Sequence, residues 1–66
     1  MSSSFINREI QELYKTLDYL LSSLNELQKI EVTRINKSSL EIGIQTIKER
    51  LSIIYRVIKQ KEDLMF

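Results

Sequence analysis

Large aliphatic residues recur in both halves of this 66-residue chain at alternating intervals of four and three positions. The first series is Ile6, Ile10, Leu13, Leu17, Leu20, Leu24 and Leu27, and the second is Leu40, Ile44, Ile47, Leu51, Ile54, Ile58 and, after a skipped position, Met65. An apolar residue at every 3.5 positions on average lies along one side of an α-helix. The pattern therefore predicts two amphipathic helices, each with an apolar seam that packs against another helix.

The two seams are out of phase, which indicates a break between them. If the first seam continued at its own spacing, it would reach only polar residues, namely Glu31, Arg34, Ser38 and Glu41. The second seam is displaced from that continuation by one residue, or about 100° around a straight helix. The polar segment 36–39 lies in this region and begins with Asn36, a residue type that tolerates the left-handed conformation at helix ends.

A capping box indicates where the second helix starts, because Ser38 stands three residues before Glu41. We expect helix one over about residues 4–34, a turn over about 35–38 and helix two over about 39–64, within one domain covering residues 1–66. The predicted fold class is all-α, a two-helix antiparallel hairpin with coiled-coil-like packing. A continuous rod with a heptad interruption near Thr33 is the alternative, since no residue in this region forbids a helix.

The chain has more apolar residues than one pair of helices can cover. Beside or beyond the seams lie Tyr14, Leu21, Ile53, Tyr55, Val57 and Leu64, which widen the apolar stripes toward those of bundle helices. Phe5, Tyr19 and Ile42 lie further round, and the first two, taken singly, are interpreted as ordinary exposed residues. Uncovered side chains forgo about 25 cal/mol of stabilisation per Å². We therefore expect a helical bundle with another helical protein or a second copy, bound through Ile53, Tyr55, Val57, Leu64, Tyr14 and Leu21.

The composition argues against catalysis, metal binding and cofactors. The chain has no His and no Cys, so it lacks the commonest metal ligands and nucleophile activators. Its one Gly cannot build a phosphate-binding loop. The close carboxylate pairs, Glu9 with Glu12 and Glu62 with Asp63, are interpreted as solvated helix edges. We predict a non-enzymatic protein with no cofactor and no metal.

The charge is nearly balanced, with a net charge of +1. Helix two carries a row of basic residues: Lys48, Arg50, Arg56, Lys59 and Lys61. Acidic residues interrupt the row, which favours a solvated face over a nucleic-acid site. No apolar run approaches the roughly 20 residues of a transmembrane helix, and the N-terminus does not read as a secretory signal. We therefore expect a cytoplasmic protein that binds neither membrane nor nucleic acid.

The segment 50–58, Arg-Leu-Ser-Ile-Ile-Tyr-Arg-Val-Ile, pairs two Ile residues ahead of an aromatic and a β-branched position. In this and in its length and helix placement, the chain resembles the helical-hairpin co-chaperones of bacterial type III secretion, the YscE and EscE group. The resemblance implies a protein that joins a repeat-type helical chaperone through Ile53, Tyr55 and Val57 and helps keep the needle subunit soluble. Residues 36–39 lack the Gly that often marks the turn of that group. A structural subunit of a larger coiled-coil complex and a dimeric RNA-binding hairpin are the alternatives.

Overall fold

Two helices of equal length pack side by side in a computed structural model of the chain, which describes residues 3–64. Helix α1 spans Ser3–Lys29 and helix α2 spans Lys37–Asp63. The two helices run antiparallel and contact each other along their length. The predicted all-α helical hairpin is confirmed, and the continuous rod is excluded because residues 30–36 interrupt the helix.

The residues of the two seams form the interface between the helices. Every seam position within residues 3–64 is buried or half-buried, whereas Met65 lies outside the described residues. The buried set consists of Ile10, Leu17, Leu20, Leu40 and Ile58. Ile58 is the most enclosed of these, with 2% of its surface exposed. The core is therefore a single layer of aliphatic side chains between two helices.

Two contacts at opposite ends of the hairpin define how the helices pair. At the open end, away from the turn, Lys61 Nζ donates a hydrogen bond to Glu9 Oε2 at 3.1 Å. Next to the turn, a Cβ atom built on Gly43 would lie 3.4 Å from Leu27 Cδ1. The two residue numbers of each pair, 9 with 61 and 27 with 43, add up to 70. A residue i of α1 therefore lies at about the same height along the hairpin as residue 70 − i of α2.

Helix α1 is shorter than the sequence predicted, because it ends at Lys29 and not near residue 34. The turn accordingly covers residues 30–36 in place of residues 35–38. The side chain of Asn36 accounts for the difference: its Nδ2 donates to the Glu31 carbonyl at 3.1 Å, and its Oδ1 accepts from the Thr33 N–H at 2.7 Å. A continuing helix would need both of these main-chain groups for its own hydrogen bonds, so the side chain competes with the helix.

The predicted capping box at Ser38 and Glu41 is wrong, because α2 already begins at Lys37 and Ser38 lies inside it. The reciprocal pair is Thr33 with Asn36, five residues earlier. Thr33 Oγ1 accepts from the Asn36 N–H at 3.2 Å, while Asn36 Oδ1 accepts from the Thr33 N–H. This is the bonding pattern of a capping box. The Lys37 N–H then donates to the Thr33 carbonyl at 3.0 Å, which leads the turn directly into α2.

Asn36 acts through its side chain and not through a left-handed backbone. Its φ is −100°, and no non-glycine residue among those described has a positive φ. The expectation that Asn36 would end a helix in the left-handed conformation is therefore also corrected. The physical reason is that its side-chain amide satisfies one main-chain acceptor, the Glu31 carbonyl, and one main-chain donor, the Thr33 N–H, within the turn.

We expect Asn36→Ala to lower the free energy of unfolding by about 1–2 kcal/mol, because the turn loses the hydrogen bonds of this side chain. Ser38→Ala is the matched control and should change it by less than about 0.5 kcal/mol, since Ser38 caps nothing. Urea denaturation followed by circular dichroism measures both. If Asn36→Ala and Ser38→Ala lowered the free energy of unfolding equally, the assignment of the capping box to Thr33 and Asn36 would be contradicted.

Gly43 is a second site where a small change should alter stability. A methyl group there would lie at an ordinary contact distance from Leu27. Because Gly within a helix is less stable than Ala by about 0.5–1 kcal/mol, we expect Gly43→Ala to raise the melting temperature by about 2–8 °C. Gly43→Leu, whose side chain exceeds the space beside Leu27, should lower it. If Gly43→Ala lowered the melting temperature, the helices would be unable to move enough beside Leu27 to accept the added methyl group.

Candidate protein-binding surface

One side of the hairpin carries two shallow apolar grooves that meet at Thr16. The groove at the open end is lined by Phe5, Arg8, Glu9, Glu12, Leu13, Thr16 and Lys61. The groove in the middle is lined by Thr16, Tyr19, Leu20, Arg50, Ile53 and Ile54. We call this side the groove face. Its two grooves follow one another along the hairpin, so they form one elongated surface.

Helix α2 carries a line of exposed aliphatic residues, of which Ile53 lines the groove face. Ile42, Ile53 and Leu64 are spaced by eleven residues, which is close to three full helical turns. They therefore lie in a line along α2, and each is more than half exposed. From α1, the groove face receives the exposed side chains of Phe5 and Tyr19. The eleven-residue spacing is the sequence signal that could have found this line.

The six residues predicted to bind a partner do not share one surface. Ile53 lines the groove face, and Val57 and Leu64 follow it at helical spacings that keep them on the same side of α2. Val57 is half-buried, whereas Leu64 is exposed. The groove face therefore brings together Ile53, Val57 and Leu64, with Phe5, Tyr19 and Ile42 as members that the prediction did not include.

The other three predicted residues, Tyr14, Leu21 and Tyr55, lie on the opposite side of the hairpin. Tyr14 lines a separate groove with Lys59 and Glu62, and Leu21 follows Tyr14 by two helical turns. Tyr55 comes two positions after Ile53, or about 200° around the helix. All three are exposed, but they are not continuous with the groove face.

A cross-helix hydrogen bond joins the helices on this opposite side. Tyr14 Oη donates to Glu62 Oε2 at 3.2 Å. The hydrogen bond to the Glu62 carboxylate, together with its negative charge, raises the pKa of the Tyr14 phenol above its usual value of 10. Because the folded pKa is raised, Tyr14 contributes stability that is fully present below pH 10 and is lost as the pH rises through the folded pKa.

We expect the titration of Tyr14 to report this contact. In a Tyr19→Phe/Tyr55→Phe background Tyr14 is the only phenol, and its ultraviolet titration should have a higher midpoint in the folded chain than in urea. Glu62→Gln should lower the folded midpoint toward that of the unfolded chain, because the carboxylate charge is removed. A folded midpoint that does not respond to Glu62→Gln would contradict the contact.

Charged residues of both signs border the groove face. Glu9 and Lys61 are paired across the helices and are part-buried, so this pair links α1 to α2 at the open end. Glu12 contacts Lys15 at 3.3 Å, but both side chains are largely exposed, and such a pair contributes little to stability. The basic row of α2 is divided: Arg50 lines the groove face, whereas Lys59 lines the groove on the opposite side.

The described part of the chain, residues 3–64, was compared with two further kinds of site, metal clusters and membrane-spanning helices. No three acidic side chains within this range lie close enough together to hold a metal ion. Neither of the two described helices combines the length and the apolar character needed to cross a membrane. Comparisons with models of known protein families, with curated proteins and with solved structures find no match for this chain. The groove face is therefore the feature from which a function can be argued.

Proposed function

We propose that this chain is a non-enzymatic protein–protein interaction module that buries its groove face against a helical protein surface. The observation that carries the proposal is the groove face itself, where the exposed Phe5, Tyr19 and Ile53 line two adjoining apolar grooves on a hairpin with a single-layer core. Monomeric soluble proteins rarely expose long continuous apolar surfaces, and those that do commonly bind other proteins there.

The energetics of a small hairpin support association. Full burial of one large aliphatic or aromatic side chain is worth about 1.5–3 kcal/mol relative to leaving it exposed. Covering Tyr19 and Ile53 would therefore add an amount comparable to the total stability of many small domains. The chain has no Cys, so disulfides cannot supply that stability. A bound partner can supply it, because a partner that binds only the folded hairpin stabilises the folded state.

The shape of the groove face fits a helix better than a flat surface. Its two grooves follow the long axis of the hairpin, so a partner helix can lie along them and insert side chains at intervals of three and four residues. Arg8 and Glu12 at one groove and Arg50 at the other present charges of opposite sign to that helix. Such charges select the orientation of the partner more than they increase its affinity.

We propose bacterial type III secretion in the cytoplasm as the setting, on the resemblance of residues 50–58 to the co-chaperones of that system. In this setting the partner is a repeat-type helical chaperone, and the assembly keeps the needle subunit soluble. Ile53 and Val57 lie on the groove face, whereas Tyr55 lies on the opposite side. A partner that contacts all three residues would therefore have to wrap around α2.

The test compares two substitutions at exposed positions two residues apart. Ile53 on the groove face and Tyr55 on the opposite side are 55% and 59% exposed. We expect gentle affinity purification from the native host to recover a helical protein with the wild-type chain and with Tyr55→Asp. With Ile53→Asp, recovery should fall at least about 10-fold, since a charge would be buried in the contact.

Circular dichroism of both variants provides the control, because both should retain the helicity of the wild-type chain. Recovery of a helical-repeat protein would support the type III secretion setting, and recovery of a different helical protein would overturn that setting while supporting the interaction module. Equal recovery with Ile53→Asp and with wild type, or loss only with Tyr55→Asp, would overturn the groove face as the binding site.

A further inference from the structure

We draw no further inference here: the strongest candidate, the apolar groove face along one side of the hairpin, carries none, because nothing in the structure shows what covers its exposed Phe5, Tyr19 and Ile53.

Discussion

Leu17→Asp is expected to abolish the helical circular dichroism signal of the chain in dilute solution at neutral pH. Leu17 is 5% exposed, and no polar or charged side chain among residues 5–64 is buried, so none lies in the core to pair with the new charge. Burying an unpaired carboxylate costs several kcal/mol, which equals or exceeds the total stability of many small domains. The hairpin has no second core layer that could compensate.

Ser52→Asp is the control for this experiment, because Ser52 is exposed on α2 and the same side chain remains in water there. We expect it to change the free energy of unfolding by less than about 0.5 kcal/mol. If Leu17→Asp kept its helicity and melted cooperatively, Leu17 would not be a core residue in solution. The pairing of the two helices along their seams would then be wrong.

Ile58→Ala is expected to lower the free energy of unfolding by about 2–5 kcal/mol. Ile58 is the most enclosed residue described, and the two helices cannot fully close the cavity that its truncation leaves. Ile53→Ala removes the same atoms from an exposed position of the same helix and should cost less than about 1 kcal/mol in the isolated hairpin. Urea denaturation at several protein concentrations separates folding from association.

The comparison of these two truncations also tests what covers the groove face. If Ile53→Ala and Ile58→Ala lowered the free energy of unfolding equally at every protein concentration, Ile53 would be as enclosed as Ile58. That result would contradict the hairpin described above. A loss for Ile53→Ala that increases with protein concentration would instead show that a second copy covers Ile53. The magnitude for Ile58→Ala should be the same in either case, because its neighbours belong to its own chain.

The core of the hairpin could be predicted from the sequence, because burial between two helices follows helical periodicity directly. Seam residues such as Ile10 and Ile58 are enclosed as their spacing requires. The end of α1 could not be predicted in the same way. Two pairs have the spacing of a capping box, Ser38 with Glu41 and Thr33 with Asn36. Only the path of the turn decides which pair forms the reciprocal hydrogen bonds. Because the second pair forms these bonds, α1 ends at Lys29, five residues before its predicted end.

The groove face could be recognised only in part from the sequence, for a different physical reason. The helical angle separates Ile53 from Tyr55, and in an antiparallel pair with facing seams it also places Ile53 on the side of Tyr19. It does not say which exposed residues of the two helices lie at the same level and so line one groove. The match of levels depends on the turn, which covers residues 30–36 and is longer than the sequence predicted.

The hydrogen-bonded turn also determines how far apart in the chain the pairing residues are, and this bears on kinetics. Leu27 and Gly43, beside the turn, close a short loop, whereas Glu9 and Lys61 are separated by 52 positions. Short loops have the smaller closure entropy, so zipping from the turn toward the termini is the fastest route to the native pairing. Interactions at Thr33 and Asn36 should therefore govern the folding rate, and those around Ile10 and Ile58 the unfolding rate.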